Sequence, residues 1–174
     1  MNAGPAPLYE RDPAAYEAYL AEGNASQARK RVGADALLRD PGGRVLLVNP
    51  GYKPDWDLPG GMAESNESPI ACLERELREE LDLSVPIGPM LVADWVPPHG
   101  PWDDLMAFVF DGGTLYPRQL AAIHLLDGEL EGFAMFDPAE AMRRLRPRAA
   151  RRLSAALAAL ATGRASYLQD GAPV

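Results

Sequence analysis

The alternation of apolar and polar positions divides the chain into short strands and a few helices. Two apolar runs at residues 32–40 and 44–50 flank the turn sequence PGG, an arrangement typical of a β-hairpin. Further strands are predicted at residues 58–62, 89–96, 105–113 and 131–136. Short apolar runs bounded by turn residues indicate that a sheet forms the centre of the fold.

Helical patterns lie between and after these strands. Ser68 at the N-cap and Pro69 at the first helical position begin a helix that we expect to run to about Leu81. Two more helices follow the last strand, one capped by Asp137 and a final amphipathic one that ends at Gly163. The order of elements predicts a mixed α/β domain with a central sheet covered on both faces.

The chain of 174 residues has the length of about one domain. Residues 1–30 carry Pro, Ala and scattered charge, and we expect them to form an N-terminal arm with a short helix at residues 14–21. Residues 31–162 form the predicted domain, and residues 163–174 are expected to form a C-terminal tail.

The segment LERELREEL, residues 73–81, places an unusual amount of negative charge on one helix. At about 100° per residue, Glu76, Glu79 and Glu80 share a face beside an apolar stripe. Carboxylates this close repel one another. The helix is therefore either a solvated face with neighbouring arginines as local partners, or a site for divalent cations, which favour oxygen ligands.

The residues upstream favour the cation site. The segment GMAESNESPIACLERELREELDL, residues 61–83, resembles the Nudix hydrolase signature G-x5-E-x7-R-E-U-x-E-E-x-G-U, where U is aliphatic. It matches every fixed position except that of Asp82, where the signature has glycine. The preceding WDLPGG is similar to the usual lead-in of the family. The resemblance implies a Nudix-type α/β/α sandwich with a mixed central sheet over residues 31–162, and metal-dependent hydrolysis of a diphosphate linkage.

The resemblance also implies roles for individual residues of this segment, which we call the box. Three catalytic carboxylates and one backbone carbonyl would hold Mg²⁺ or Mn²⁺: Glu76, Glu79, Glu80 and Gly61. Arg75 and Glu67 match the pair that braces the box by a salt bridge. Asp82 occupies the position that ends the helix. Glycine adopts the left-handed backbone conformation of this position freely, and aspartate adopts it at a cost of about 1 kcal/mol.

The general base stays open at this stage. A box carboxylate, Glu79 or Glu80, could accept the proton of the attacking water. Glu129 and Glu131 precede the last strand and are alternatives from outside the box, and His99 lies in a loop that could reach the substrate.

The substrate is a nucleoside diphosphate derivative if the resemblance holds. Trp56 and Trp102 offer rings that could stack on a base, and Lys53 could contact phosphate. Pro97 and Pro98 follow the box at a distance similar to that in ADP-ribose-type Nudix pyrophosphatases. We therefore place ADP-ribose or a nucleotide sugar slightly ahead of nucleoside triphosphates.

Charge and composition restrict the partners and the location. A net charge of -8 argues against nucleic-acid binding through a broad basic face. Six of the 17 basic residues lie between Arg143 and Arg152; they could neutralise an anionic ligand, but such a cluster more often marks a solvated helix face, which is what we expect here. One cysteine, no apolar leader and no run of about 18 apolar residues predict a cytoplasmic protein without a membrane span. A homodimer is possible.

Two other functions share the expected fold. A ligand-binding regulator would keep the sandwich without turnover, although the intact box glutamates argue against it. An isoprenoid diphosphate isomerase would need a cysteine and a glutamate deep in an apolar pocket, whereas Cys72 lies within the box helix. A small buried hydrophobe is the simpler role for Cys72.

Overall fold

The computed structural model describes residues 6–126 and 128–174. Its helices are α1 (Leu8–Arg11), α2 (Pro13–Ser26), α3 (Pro69–Leu81), α4 (Pro117–Leu120), α5 (Pro138–Arg144) and α6 (Pro147–Thr162). Its strands are β1 (Arg31–Arg39), β2 (Val45–Pro50), β3 (Gly60–Met62), β4 (Met90–Val96), β5 (Leu105–Thr114), β6 (Leu130–Phe136), β7 (Ser166–Gln169) and β8 (Ala172–Pro173). None of the helices in these ranges is long and apolar enough to cross a membrane.

The described strands form one mixed sheet in the order β6-β2-β1-β5-β4-β7-β8, with β3 paired to β1. β1 runs parallel to β5 and β4 runs parallel to β7, whereas the other pairs are antiparallel. β1 thus lies near the middle of the sheet. Its pairing with β3 sets Ala34 opposite Gly61 and Asp35 opposite Gly60, which fixes the start of the box on the central strand.

Helices cover both faces of this sheet, as the sequence predicts. On one face, Leu77 of α3 packs with Ala36 and other apolar residues of β1. On the opposite face, Leu37 of β1 packs with Leu153 and further apolar residues of α6. Alternate residues of β1 therefore serve two separate cores, since successive side chains of a strand point to opposite faces. The α/β/α sandwich is confirmed.

The box helix α3 begins and ends as predicted. The amide of Ala71 donates to the Ser68 hydroxyl oxygen over 3.2 Å at the N-terminus. Asp82 follows the last helical residue with φ 51° and ψ 34°, in the left-handed region. The Asp82 amide donates to the Arg78 carbonyl and the Leu83 amide to the Leu77 carbonyl, so the helix end is closed by the backbone.

Some local expectations differ from the structure. Asp137 precedes α5 as predicted, but within the described residues its carboxylate accepts no capping hydrogen bond. The helix of the arm is longer than expected and buries none of its residues.

Residues 163–174 contribute strands that the sequence analysis did not predict. β7 pairs with β4, and Leu168 within β7 is almost fully buried. A strand of four residues contains too little alternation to be recognised before its partner is known.

We expect Asp82→Gly to stabilise the protein by about 0.5 to 1 kcal/mol. The change removes left-handed strain of about 1–2 kcal/mol and adds unfolded-chain entropy of about 0.4–1 kcal/mol. Urea unfolding measures the difference. Gly163 ends α6 with φ 68° and open space around its Cα, so Gly163→Asp is the matched reverse change and should destabilise the protein. An Asp82→Gly variant no more stable than the wild type would contradict this account.

Candidate active site

The box loop depends on two glycines that approach other groups closely. A Cβ on Gly60 would lie 2.1 Å from the Ala34 carbonyl oxygen, and Gly60 also has φ 139°. A Cβ on Gly61 would lie 2.4 Å from the Glu76 Oε1 atom. Any side chain at Gly61 would therefore displace the Glu76 carboxylate, whereas at Gly60 the backbone of β1 itself leaves no room for one.

Arg75 holds the acids of the box together. Its Nε and Nη2 atoms donate to the two Glu67 carboxylate oxygens over 3.0 and 2.9 Å. Its Nη1 atom donates to Glu76 over 3.0 Å and to Glu79 over 3.1 Å, and Nη2 also donates to the Met62 carbonyl over 3.1 Å. One guanidinium thus connects the loop, the helix and three carboxylates, which is the bracing role expected for the Arg75–Glu67 pair.

The three box glutamates have different surroundings. The Glu79 side chain is 58% exposed, the Glu76 side chain is 17% exposed, and Glu80 is buried. Burial raises the pKa of Glu76, against the lowering effect of Arg75, and the charges of Glu79 and Glu129 raise it further. The carboxylate face of α3 is therefore exposed at Glu79 and buried at Glu80. This gradient is expected because the face borders the apolar stripe that packs on the sheet.

Glu80 faces a small cavity of about 50 Å³ at the loop side of α3. Asp57, Gly60, Tyr52 and Glu129 also line it. Of the two acids near the start of β6 that the sequence offers as bases, only Glu129 precedes the strand and lines this cavity, whereas Glu131 is the second residue of β6. Glu131 instead lies beside Gly51, where an added Cβ would be 3.0 Å from its Cγ atom.

A larger cleft of about 500 Å³ lies next to this cavity. Asp57 lines both spaces, so they share a wall. The cleft is bordered by Arg31 at the start of β1, by His99 and Trp102 in the loop after β4, and by the first turns of α6. The Arg31 guanidinium lies 4.6 Å from the centre of the Trp102 ring, which is 55% exposed. Trp102 is thus available to a ligand.

The donor set suits a hard divalent cation. Glu76, Glu79 and Glu80 supply carboxylate oxygens and Gly61 a backbone carbonyl, which are the ligand types that Mg²⁺ and Mn²⁺ prefer. Because Gly61 has no side chain, its backbone lies directly against the Glu76 carboxylate. Among residues 6–126 and 128–174, no three acidic, histidine or cysteine side chains are already grouped as a cation site, and the Glu79 carboxylate accepts a hydrogen bond from Arg75.

Sequence comparison matches the chain to a protein family over a region much longer than the box. A model of the NUDIX domain matches residues 29–157, about three quarters of the chain. The chain belongs to the Nudix family. This match confirms the resemblance of the box and the predicted enzyme class, a Nudix pyrophosphohydrolase. No curated protein matches the sequence significantly.

Solved Nudix-related structures share the fold at low sequence identity. The MutT protein from Methanosarcina mazei Go1 matches with a TM-score of 0.60 and 22% identity over 74% of this chain and 96% of its own. An ADP-ribose pyrophosphatase from Streptococcus suis 89-1591 matches with a TM-score of 0.58 and 18% identity, over 81% and 99%. A UDP-X diphosphatase matches with a TM-score of 0.65 and 17% identity, over 89% and 74%. These likenesses establish the fold of the Nudix chain.

The three predicted substrate contacts of the Nudix chain lie in different places. Only Trp102 lines the large cleft. Lys53 forms an ion pair with Asp57, on the wall between cleft and cavity. Trp56 packs edge to face on Phe136, with ring centres 5.0 Å apart, and lines neither space. Packing is therefore the visible role of Trp56, and its contact with a substrate stays a prediction.

Asp35 is a residue near the site that the sequence analysis missed. Burial raises its pKa to about 6, Arg152 opposes this rise and Asp57 adds to it. The strand sequence VGADALL carries one acid between apolar residues, and that interruption was the available signal. Asp35 lies on the face of β1 that α6 covers, opposite Gly60 across the β1–β3 pairing.

Cys72 has the surroundings of a structural residue. Its side chain is fully buried, and burial raises the pKa of its thiol to about 11, with Glu76 and Glu67 contributing. Its Sγ atom lies 3.7 Å from the Gly61 carbonyl oxygen. A protonated thiol of this kind is a weak nucleophile.

We expect Glu67→Gln to destabilise the Nudix chain near pH 7 and to have little effect in acid. Hydrogen bonds from Arg75, then from the Glu64 amide, hold the pKa of Glu67 below its ordinary value of 4.5. A lowered acid pKa contributes stability above the ordinary value, and this contribution disappears as the pH falls through the folded-state pKa.

Urea unfolding of both proteins at several pH values measures this dependence. Glu64→Gln removes a carboxylate from the same loop on an exposed side chain, and it should leave the pH dependence nearly unchanged. A stability difference between Glu67→Gln and the wild type that persists undiminished at pH 3 would count against the Arg75–Glu67 brace.

Proposed function

We propose that the protein hydrolyses the diphosphate linkage of a nucleoside diphosphate derivative, with ADP-ribose or a nucleotide sugar ahead of nucleoside triphosphates. The observation that carries the proposal is the meeting of the α3 glutamates with the glycine backbone of β3. Gly61 lies directly against Glu76, and Glu80 faces the cavity beside Gly60. Acids and a bare backbone in one place suit a metal–diphosphate complex.

Glu76, Glu79 and Glu80, with the Gly61 carbonyl, are the proposed ligands of Mg²⁺ or Mn²⁺. A bound divalent cation neutralises charge on the diphosphate and favours ionisation of the attacking water. Arg75 keeps Glu76 and Glu79 near one another through shared hydrogen bonds. Glu79 is the most exposed of the three and has the most freedom to turn toward a cation.

The reaction needs a proton acceptor near the phosphorus. Water oxygen forms a new bond to phosphorus, the bridging phosphorus–oxygen bond breaks, and two phosphate-bearing products leave. The proton of the water passes to a carboxylate. Glu80 and Glu129 line one cavity, which supports both as candidate acceptors. Glu131 and His99 lie outside this cavity and are less well placed.

The large cleft supports a substrate with a sizeable group beside the diphosphate. Its volume of about 500 Å³ falls within the usual range for small-molecule sites, about 300–1,000 Å³. The exposed Trp102 ring offers a surface on which a base can stack. Two of the fold relatives are named as an ADP-ribose pyrophosphatase and a UDP-X diphosphatase, so the fold accommodates this class of substrate.

The box glutamates and Cys72 argue against the two alternative functions, a non-catalytic regulator and an isomerase. A regulator without turnover would not require all three box glutamates. An isomerase that uses a cysteine would need a reactive thiol, whereas the Cys72 thiol is buried and its pKa is raised. We further propose a cytoplasmic protein that acts on small molecules and not on nucleic acid, and that can form a homodimer.

We expect Glu79→Gln and Glu80→Gln each to lower hydrolysis of the best substrate by at least about 100-fold, because each removes a ligand charge or the proton acceptor. A panel of nucleoside diphosphate derivatives with Mg²⁺ or Mn²⁺ identifies that substrate. Glu74→Gln removes an exposed carboxylate from the same helix and is the matched control. Glu80→Gln should also weaken Mn²⁺ binding in calorimetry. Equal rates in all four proteins would refute the assignment.

We expect Glu129→Gln to lower kcat by about 100-fold if Glu129 accepts the proton, and Glu131→Gln to lower it less than about threefold. The two residues lie on either side of Leu130, and only Glu129 faces the cavity that holds Glu80. Loss of the acidic limb in the pH–rate profile of Glu129→Gln would identify it as the base. An unchanged profile would leave the role to Glu80.

A further inference from the structure

The large cleft is basic although the protein is acidic. Its lining contains five arginines and one acid, Asp57, in a chain whose net charge is -8. Four of the five belong to the cluster that the sequence analysis expects on a solvated helix face. They are Arg146, Arg148, Arg151 and Arg152, and the fifth is Arg31. The folded chain brings this cluster to a concave surface beside the box.

Ion pairs neutralise only part of this charge. Asp57 is paired with Lys53, so it offsets none of the arginines of the cleft. Asp170 pairs with Arg148, over 2.5 Å. Within the part of the chain that the structure describes, Arg31, Arg146 and Arg151 take part in none of the ion pairs. Arg31 donates to the Asp103 carbonyl over 3.3 Å and Arg151 to the Asp170 carbonyl over 2.8 Å.

Arg152 is the most buried of these arginines. Its side chain is 14% exposed, and its Nε atom lies 4.0 Å from Asp94 Oδ2. In the described residues that buried Nε atom makes no hydrogen bond. A guanidinium held this way keeps donor capacity for a further acceptor, since Arg has five N–H donors.

The arginines also stand at the end of a helix that disfavours them. The first turn of α6 contains no acid, and Arg146 is its N-cap residue. Partial positive charge at a helix N-terminus favours anions and opposes nearby cations. Several arginines at this end of α6 therefore repel both one another and the helix, and a bound anion would relieve both repulsions.

The cleft lies beside the box, and this position indicates which part of a substrate it would bind. Glu80 and Gly60 of the box line the small cavity, the arginines line the large cleft, and Asp57 lines both. A diphosphate at the box leaves the rest of the molecule to extend past Asp57 toward Arg146 and Trp102. Stacking on Trp102 and pairing with arginine are then available to the same group.

We propose that the substrate carries a further anionic group, a phosphate monoester or a carboxylate, outside the diphosphate that is cleaved, and that Arg146 and Arg151 bind it. This inference rests on the proposed function and makes it more specific. A neutral sugar would leave these arginines without the anion that their arrangement favours.

Two pairs of compounds, each differing in one anionic group, test the proposal. UDP-glucose and UDP-glucuronate differ by a carboxylate, and NADH and NADPH differ by a phosphate monoester. We expect the more anionic member of at least one pair to bind about tenfold more tightly, because a charge-assisted hydrogen bond to arginine is formed only there. Calorimetry in EDTA measures binding without turnover, and kcat/KM with Mg²⁺ measures use as a substrate.

Variants of single arginines locate the effect. Arg146→Gln should remove most of the preference for the more anionic member and change binding of the less anionic member less than about twofold. Arg143→Gln is the matched control, because Arg143 pairs with Glu140 on α5 and does not line the cleft. It should leave the preference intact. Raising the salt concentration should reduce the preference, since exposed charges are screened.

The outcomes separate this inference from the proposed function. Equal binding of both members of both pairs, or no binding at all, overturns the inference even if the protein hydrolyses some diphosphate. Equal losses for both members in Arg146→Gln also overturn it, because the arginines would then bind the diphosphate itself. Absence of hydrolysis across the whole panel refutes the proposed function, while the binding preference still decides the inference.

Discussion

The hydrogen bonds of Arg75 are the contacts on which the rest of the site depends. Three carboxylates on one loop and helix would repel one another, and this guanidinium donates to Glu67, Glu76 and Glu79 at once. It also donates to the Met62 carbonyl, which ties β3 to α3. The pairing of β3 with the central strand then fixes the box relative to the whole sheet.

The close approach of backbone to side chain follows from the same constraint. Because β3 lies between β1 and α3, Gly60 contacts Ala34 and Gly61 contacts Glu76 with no room for a Cβ atom. Charge and space therefore act together: arginine holds the acids, and glycine lets oxygen atoms of the backbone lie beside them. This arrangement explains why a single short segment contains the glycines, the arginine and the glutamates of the family signature.

The two spaces beside the box have opposite charge. The small cavity is acidic, with Glu80 and Glu129 in its lining, the large cleft is basic, with arginines of α6 in its lining, and Asp57 lines both. A cation on the acidic side and an anion on the basic side would each reduce repulsion among like charges. A phosphate ester bound with a metal ion supplies both, so the charge distribution of the fold matches the chemistry of the proposed substrate.

The sequence by itself determined the features that local interactions control. Caps and periodicity define α3, the PGG turn defines the hairpin, and the spacing of the box identifies the family, because each depends on residues close together in the chain. Only the tertiary structure decided that Glu129 and not Glu131 faces Glu80, that residues 166–169 complete the sheet, and that Arg31 and Arg146 border one cleft. These groups are distant in sequence, and they meet because strand pairing and helix packing bring them together, which no local pattern encodes.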